Sequence, residues 1–437
     1  MKYDLQNSAQ NLARLRVKGF TKNYHGISPA AAYFCRFNME THSLSRTTTQ
    51  PERLAVMPRQ EHFSIGIPEE TTLQENRVGL APHSVATLVA HGFRIFVESG
   101  AGNKSRFTDH DYSEAGAEIV HSHEEVFKAD VMLKVAPPTL EEIDLMRPNQ
   151  VLISPIQLPM MDAEYITRLL KKRVTALAME YIRDDEMGIY PIVRVMSEIA
   201  GISAIHIAAD LLATARGGQG VLLGGIAGVP PAKVIIIGAG VVAEFATRTA
   251  IGLGAEVRIF DNNVYKLMRL QNQVGRQLHT SVVNPVHLRE QLLTADVAIG
   301  AIHSRKGRSP LMVSEDIVQR MKPGSVIVDV SVDQGGCFET SRITSHDQPT
   351  FVKHQVLHYC VPNIPSRVAR TASDAISNIL TSLLLKAESG GIFNLITSLS
   401  GLRNGVYTYK GCLTNAYLSE RFGIKHTNLD LLITSDY

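Results

Sequence analysis

The sequence predicts an α/β protein with two Rossmann-like, doubly wound parallel sheets and a ligand cleft between them. Short apolar segments alternate with helical segments from Ser64 to about residue 190. A long apolar helical pattern follows, and the alternation of strand and helix begins again at Lys233. Strands separated by helices at this spacing are typical of parallel βαβ units, which place helices on both faces of a sheet.

Length and composition limit the classes of function. The chain has 437 residues, of which 44% are hydrophobic, and a net charge of +2. This length allows two or more domains, and the low charge argues against nucleic acid or an anionic membrane as a partner. No uninterrupted apolar run reaches the roughly 18 residues that span a bilayer. No H-E-x-x-H or clustered His/carboxylate pattern occurs, so we expect no metal.

The first 62 residues are predicted to be an N-terminal extension. Residues 1–50 carry seven Lys/Arg but only two acidic residues, Asp4 and Glu40, which is typical of an organellar transit segment. A disordered tail, or a true start near Met57, fits better because the stretch has no clean amphipathic period. The four scattered cysteines form no C-x-x-C pair and suit a reducing compartment, so we expect a cytoplasmic protein.

The first predicted domain, for the substrate, covers residues 63–195. Its strands are SIGIP, RIFVES, EIV, VMLKV, QVLISP and VTALAME, and its helices are HSVATLVAHG, YSEAGA, EEVFKA, TLEEIDLM and DAEYITRLLKK. The segment PIVRVMSEIAGISAIHIAADLLATA then predicts one long helix connecting two lobes. The tail, about residues 366–437, begins with a helix at ASDAISNILTSLLLKAES, and we expect it to return and pack on this domain.

The second predicted domain covers residues 196–365. Its strands are KVIIIGAG, EVRIFD, DVAIGAI, SVIVDVSV and VLHYCVPNI, and its helices are VVAEFATRTAIGLG, VYKLMRLQNQVG and SEDIVQRM. The first strand runs into Gly238 and Gly240, and Val241 and Val242 open the helix that follows. Ala243 stands where a third glycine would govern helix–strand packing, and alanine is an accepted variant there.

This glycine turn predicts a dinucleotide site. Gly238 makes the tight turn, and Gly240 allows a pyrophosphate to approach the backbone at the helix N-terminus. Asp261 ends the next strand about twenty residues beyond Gly240, where it can accept hydrogen bonds from a ribose diol and repel a 2′-phosphate. The predicted cofactor is therefore NAD, although nearby Lys266 keeps NADP open. An ordinary capping turn without a dinucleotide is the alternative.

The nicotinamide end would lie at the carboxyl ends of the later strands. These ends carry Ile302 and His303, then Val330 and Asp333, and finally Asn363. Asp333 is the carboxylate best placed to reach a reacting centre, unless it is only a turn residue before Gly335-Gly336. Asn363 can hydrogen-bond the ring carboxamide.

Two cations in the first domain are candidates for binding an anionic substrate. Arg77 follows the first strand and can clamp a carboxylate with its bidentate fork. Lys134 ends a strand that looks buried, where it can bind a carboxylate or a carbonyl oxygen and where desolvation would lower its pKa. Both could equally be solvated surface residues.

Together these segments resemble the family of alanine dehydrogenase and the soluble alpha subunit of proton-translocating nicotinamide nucleotide transhydrogenase. The motifs are GIPEE, ENRVGLAP, VESGAG, AGAEIV, LKVAPP, MSEIAG, KVIIIGAGVV, MKPGSVIVDVSVDQGG and VPNIPSRVARTAS. The resemblance implies that Arg77 and Lys134 hold pyruvate or alanine and that Asp333 lies in the catalytic centre. It also implies dinucleotide contacts and a homo-oligomer, commonly a hexamer; the contact positions are Ser197, Asp261, Lys266, Arg342 and Asn363.

One position departs from the family pattern. A catalytic histidine of the family corresponds to Gln157 here, and a glutamine cannot pass a proton at neutral pH. Lys134 with Asp333 could take the proton role, or the substrate could differ, or the chain could only bind. His206 and His303 are possible substitutes, although each is more typical of an ordinary helix or loop histidine.

The working hypothesis is reversible, NAD-dependent oxidative deamination of L-alanine to pyruvate and ammonia. VSVDQGGCFETSR is similar to the alanine dehydrogenase branch, whereas the transhydrogenase branch has no aspartate matching Asp333. A nucleotide-binding transhydrogenase component and a dehydrogenase of another 2-amino or imino acid are the alternatives.

Overall fold

The structure is a computed structural model that describes residues 63–435 except residues 73, 159–160, 305–307 and 388–390. Everything below concerns these residues. The N-terminal extension predicted over residues 1–62 lies outside them.

The first half of the chain forms a parallel sheet of six strands. The strands are β1 (Ser64–Ile67), β2 (Arg94–Glu98), β3 (Glu118–Val120), β4 (Val131–Leu133), β5 (Val151–Ser154) and β6 (Thr175–Ala178). Their order across the sheet is β3-β2-β1-β4-β5-β6, and every adjacent pair is parallel. β4, β5 and β6 are buried along their whole length, as expected for strands with helices on both faces.

Five helices connect these strands. They are α1 (Pro82–Ala90), α2 (Asp109–Glu114), α3 (His123–Val126), α4 (Leu140–Leu145) and α5 (Ala163–Lys171). Local capping explains where several begin: Thr108 and Thr139 form capping boxes with Asp111 and Glu142. The box at α4 fixes the Glu142 side chain in the first turn, which matters for the site described below.

The long connector is one helix, α6 (Pro191–Leu211). By length and composition it could cross a membrane, but half of its most apolar window is buried inside the protein. It packs against the next helix of the chain, α7 (Val241–Gly252). A Cβ at Gly201 would lie 2.4 Å from the Val242 carbonyl oxygen, so this close crossing requires glycine.

The second half of the chain builds a seven-stranded sheet. Its strands are β7 (Lys233–Ile237), β8 (Glu256–Phe260), β9 (His279–Ser281), β10 (Val297–Gly300), β11 (Val326–Asp329), β12 (Thr350–Lys353) and β13 (Val356–Tyr359). The order is β12-β13-β11-β10-β7-β8-β9, and only the β12–β13 pair is antiparallel. The remaining helices of this half are α8 (Val264–Val274), α9 (Pro285–Leu293) and α10 (Glu315–Val318).

The C-terminal segment returns to the first sheet. It contains α11 (Ala369–Leu385), α12 (Gly391–Ser398), α13 (Ser400–Arg403), β14 (Val406–Tyr409), β15 (Cys412–Leu413), α14 (Ala416–Phe422) and α15 (Leu429–Ser435). β14 pairs antiparallel with β6, and β15 pairs antiparallel with β14, so the first sheet has eight strands. α11 packs against α1 and α6.

The α/β prediction with two parallel-dominated sheets is confirmed. The pattern missed the strands β9, β12, β14 and β15 and the helices α9, α12, α13, α14 and α15. β9 and β12 lie at sheet edges with no fully buried residue, so their sequences lack a continuous apolar signal. β14 is fully buried but follows helices directly and pairs with a strand more than 200 residues earlier, which local sequence does not reveal.

Candidate functional site

In both sheets the strand order reverses once near the middle, and this reversal locates the ligand crevice of each sheet. The order in which strands are added reverses between β1 and β4 in the first sheet and between β7 and β10 in the second, although both pairs are parallel. In open α/β sheets, ligands bind outside the carboxyl ends of the strands at such a switch point. Arg77 and Lys134 follow β1 and β4, and Gly238 and Ile302 follow β7 and β10. The predicted substrate and cofactor residues therefore lie at the two switch points.

The glycine turn after β7 has the geometry that a dinucleotide needs. Gly238 has a φ of 119°, and a Cβ there would lie 2.3 Å from the Ala301 carbonyl oxygen. A Cβ added at Gly240 would have no heavy atom of the described residues within 4 Å apart from its chain neighbours, so the backbone is open to a ligand. Gly240 is also the N-cap residue of α7 and has no side chain to occupy the first-turn amides. These features fit a pyrophosphate.

Asp261 is fixed at the end of β8 beside this turn. Its Oδ2 accepts a hydrogen bond of 2.8 Å from the Ala239 amide, and its Oδ1 accepts one of 2.7 Å from the Asn263 amide. The carboxylate is thereby held next to the glycine turn while remaining partly accessible. Lys266 is exposed in the first turn of α8, and Arg269 donates to the Ala239 carbonyl oxygen over 3.4 Å.

The ends of β10 and β11 are joined through a buried aspartate that the sequence analysis did not single out. Asp329 accepts hydrogen bonds from the amides of Ser331 and Cys337, at 3.0 and 2.9 Å, and from the Ser341 hydroxyl at 2.7 Å. The Ser331 hydroxyl in turn accepts a hydrogen bond of 3.0 Å from the Ile302 amide. Asp329 therefore shapes the loop that presents Val330 and Asp333.

Asp333 lies in a one-turn 3-10 helix, Val332–Gln334, after β11. The residue is exposed to solvent, yet the surrounding protein desolvates its carboxyl group and raises its pKa to about 6. Both observations fit a side chain in a crevice, where water reaches the group but protein surrounds most directions. Neighbouring Asp329 raises the pKa further, whereas the amides of Gln334 and Asp333 oppose the rise.

Arg77 is buried, and its guanidinium makes a bidentate pair with a carboxylate of the protein itself. Its Nε and Nη2 donate to the two carboxylate oxygens of Glu75, over 2.7 and 2.6 Å. Glu75, whose side chain is 1% exposed, also accepts a hydrogen bond of 2.7 Å from Asn363 Nδ2. Burial alone would raise the pKa of Glu75, but Arg77 outweighs it and holds the pKa below the ordinary value. Glu75 thus joins the end of β1 to the end of β13.

Lys134 is also buried, with 1% of its side chain exposed. Its Nζ lies 2.9 Å from Glu70 Oε2 and 2.9 Å from Glu142 Oε1. The contact with Glu70 is close but not aligned as a hydrogen bond, so its attraction is mainly electrostatic. Glu70 Oε1 instead accepts the Val135 amide, at 2.5 Å. Of the three N–H donors of the ammonium group, one bonds Glu142, so an N–H remains for a ligand.

The net pKa of Lys134 does not fall, although the sequence analysis considered that desolvation could lower it. Burial does lower it, but the charges of Glu70 and Glu142 outweigh burial, and the net pKa is raised. The pKa of Glu70 is raised by its own burial, only partly offset by Lys134. Lys134 is therefore a permanent cation and not a neutral base at ordinary pH.

Gln157 follows β5 in a left-handed conformation, with a φ of 47°. Its amide and that of Ile156 donate to Glu180 Oε1, over 3.1 and 2.9 Å. Glu180 is half-buried, and desolvation of its carboxyl group raises its pKa. These backbone hydrogen bonds fix the position of the half-buried Gln157 at the carboxyl edge of the first sheet.

The other predicted positions are more dispersed. Ser197 is half-buried on α6, His206 is exposed on the same helix, and His303 is exposed after β10. Arg342 is exposed, and its guanidinium lies 4.2 Å from the centre of the Phe351 ring. Within the described part of the chain, no hydrogen bond or ion pair of the structure joins Asp333 to Arg77 or Lys134.

Several site residues escaped the sequence analysis because their partners are distant in sequence. Glu70, Glu142 and Glu75 surround the two cations, and the capping-box spacing at Thr139 was the only signal for Glu142. His346 also escaped it: among the described residues its Nε2 is buried without a hydrogen-bond partner, and burial lowers the pKa of its ring.

Comparisons with known proteins agree with this geometry. Residues 66–200 match the family profile of the alanine dehydrogenase/PNT N-terminal domain, and residues 204–416 match that of the C-terminal domain. Alanine dehydrogenase 2 of Staphylococcus aureus strain COL is 39% identical over 370 residues, which are 84% of this chain and 99% of that protein.

Solved structures are similar over the same region. An L-alanine dehydrogenase structure superposes with a TM-score of 0.77 at 38% identity and covers 82% of this chain and 98% of its own. A transhydrogenase structure from Sinorhizobium meliloti has a TM-score of 0.68 at 26% identity, over 81% of this chain and 99% of its own. The chain belongs to the alanine dehydrogenase/PNT family.

Proposed function

We propose that this protein catalyses the reversible, NAD-dependent oxidative deamination of L-alanine to pyruvate and ammonia. The observation that carries the proposal is 39% identity to an alanine dehydrogenase over 99% of that enzyme's length. The protein is therefore an NAD-dependent oxidoreductase, and small molecules are its substrates. The switch-point cations and the glycine turn are the chemical groups that such a reaction requires.

The cofactor end is supported by the fit of the chain to a dinucleotide. The open backbone at Gly240 and the free first-turn amides of α7 would receive the pyrophosphate, with Val241 and Val242 beside it. Asp261 would accept the ribose hydroxyls, which favours NAD over NADP. When bound, NAD supplies the hydride acceptor. Ile302, His303, Val330, Arg342 and Asn363 are the further candidate contacts, with Ser197 from α6.

The substrate end is supported by two buried cations at one switch point. Arg77 would bind the substrate carboxylate with the N–H groups that Glu75 and the Met196 sulfur leave free. Lys134 would polarise the carbonyl or imine with its remaining N–H. A small 2-oxo acid has one carboxylate and one carbonyl oxygen, so each cation has a partner.

The reaction releases a proton, which a group in the site must accept. L-Alanine, NAD⁺ and water give pyruvate, ammonium, NADH and one proton, so one proton must leave the site. Asp333, with a pKa of about 6, is largely ionised near neutral pH and can accept it. Gln157 cannot carry a proton, but its amide can hold the carbonyl oxygen.

The domain division and the assembly of the protein complete the proposal. We propose a substrate domain over 63–195 with about 366–437, and an NAD domain over 196–365, since each segment set supplies one sheet. We further propose a cytoplasmic homo-oligomer. An interface that includes the long helix α6 would cover its exposed residues Val193 and Ile202.

The second candidate is a nucleotide-binding transhydrogenase component. The structural similarity to a transhydrogenase supports it, and Gln157 is compatible with it. Asp333 favours the dehydrogenase, since the transhydrogenase branch has no matching aspartate. A dehydrogenase of another 2-amino or imino acid remains the third possibility.

Absorbance of NADH tests the proposal directly. Purified full-length protein should form NADH from L-alanine and NAD and consume it with pyruvate and ammonia. A panel of other amino and 2-oxo acids measures specificity. NAD binding without turnover of any member would refute the dehydrogenase and leave the transhydrogenase component, whereas turnover of another acid alone would refute alanine as the substrate.

A further inference from the structure

His123 is a charged residue that the proposed reaction leaves unused, yet it is connected to Lys134. Its Nδ1 lies 2.8 Å from Glu98 Oε2, and its Nε2 lies 3.2 Å from Glu142 Oε1. The same Glu142 oxygen lies 2.9 Å from Lys134 Nζ. One carboxylate therefore touches both the buried lysine and the imidazole.

The residues form a row of alternating charge along the carboxyl edge of the first sheet. The order is Glu98, His123, Glu142, Lys134 and Glu70, from the end of β2, the start of α3, the first turn of α4, and the ends of β4 and β1. Bulk solvent reaches the row mainly at His123, whose side chain is 27% exposed, whereas only 1% of the Lys134 side chain is exposed. His123 is thus the end of the row whose charge can follow external pH.

We propose that His123 is a positioning residue for the anionic substrate: its imidazolium holds Glu142 and balances its charge, so that Lys134 remains attractive to a 2-oxo acid. The proposal rests on the proposed function. Loss of the imidazolium proton would release the substrate at alkaline pH.

The charge count gives the physical reason. Three carboxylates face two cations, so the row carries a net charge of one negative unit when all are ionised. A neutral His123 adds one negative unit close to Lys134. Because a buried row is screened less than a surface pair, this unit opposes the binding of a carboxylate.

The protein environment sets the pH range of this effect. Hydrogen bonds with Glu142 and Glu98 raise the pKa of His123 to about 9. Those two carboxylates approach it from α4 and β2, Lys134 lies beyond Glu142, and Glu124 and Glu125 of its own helix are exposed. The Phe127 ring, 4.9 Å away between centroids, is uncharged.

Pyruvate binding to the NADH-loaded full chain, followed by NADH fluorescence from pH 6 to 10, tests the proposal. For the wild type, the Kd should be constant up to about pH 8 and rise above pH 9. At pH 7, His123→Gln should raise the Kd on the order of tenfold, as expected for a unit charge at roughly 10 Å and an effective dielectric of about 20. His123→Gln should also lose the alkaline rise.

Two further variants separate charge from simple structure. His123→Lys keeps a cation through this pH range, so it should retain a Kd near that of the wild type and postpone the alkaline rise. His110→Gln removes an exposed histidine that pairs with Glu114, and it should change nothing. If His123→Lys binds pyruvate as weakly as His123→Gln, the charge argument is overturned.

A readout without ligands completes the test. Proton NMR of the ligand-free chain should show the His123 ring titrating near pH 9, and a value near 6.5 would overturn the proposal. A wild type that turns over alanine while His123→Gln binds pyruvate normally overturns this inference alone. A wild type without alanine turnover overturns the proposed function as well.

Discussion

At the scale of single residues, the surroundings of each group decide its chemistry more than its type does. Two neighbouring carboxylates raise the pKa of Lys134, and desolvation by the surrounding protein raises the pKa of Asp333. Gln157 adopts a left-handed backbone conformation in which its amide bonds Glu180.

The first concerns the acid limb of activity. Because the pKa of Asp333 is raised to about 6, the carboxylate form is lost as pH falls through that value. We expect kcat/KM for alanine to fall about tenfold per pH unit below pH 6, since the substrate ammonium group titrates well above this range. Asp333→Asn should lower kcat by about 10²–10⁴-fold and abolish the limb. A limb that persists in this variant would assign it to another group.

The second concerns the departure at Gln157. Gln157→His places a titratable ring on the same rigid turn, and we expect kcat for alanine to rise by roughly 10-fold or more, with a new dependence near pH 6.5. Gln157→Asn, which also cannot pass a proton, is the matched control and should give no gain. Equal rates for the two variants would mean that the proton is handled elsewhere.

At the scale of elements, two glycines of one turn have separate tasks. Gly238 is needed for folding, because its φ is positive and a Cβ would meet the Ala301 carbonyl. Gly240 has an ordinary φ of −86° and open space in front of it, so its task concerns the ligand. The same motif therefore combines a structural and a binding requirement.

Alanine substitutions separate these tasks. Gly238→Ala should destabilise the protein by about 3 kcal/mol, through backbone strain and a steric overlap. Gly240→Ala should leave the melting temperature nearly unchanged but raise the Kd for NAD by about tenfold, since a methyl group then occupies the approach of the pyrophosphate. Thermal unfolding and NAD titration of both variants measure the two effects, and a reversed pattern would contradict this division.

At the scale of the whole molecule, Glu75 links the carboxyl edges of the two sheets. It orients Arg77 after β1 and accepts a hydrogen bond from Asn363 after β13. A second link between the same segments lies on the surface. The exposed Gln74 side chain accepts a hydrogen bond from the His346 amide and donates one to the Asp347 carboxylate. The buried link sets the position of a predicted substrate cation, whereas the exposed link does not.

Substitutions at Glu75 and at Gln74 compare how much the buried and the exposed link contribute to stability and substrate binding. Glu75→Gln leaves Arg77 buried without its ion pair, at a cost of about 3–5 kcal/mol, and should raise the KM for pyruvate. Gln74→Ala should cost less than about 1 kcal/mol and leave the KM unchanged. Because the pKa of Glu75 is lowered by Arg77, the stabilisation is present above its unfolded pKa and is lost as pH falls. Melting temperatures at pH 7 and pH 4 should therefore differ less for Glu75→Gln than for the wild type.

The sequence alone determined the fold class, the order of most strands and helices, the glycine turn and the two candidate cations. These follow from local periodicity and from residues that chain order places after strands, and both can be read along the chain. Only the tertiary structure decided that Glu75 occupies the Arg77 fork, that His123 reaches Lys134 through Glu142, and that β14 extends the first sheet beside β6. Such partners are selected by packing between segments remote in sequence, where no local pattern records which side chains will meet.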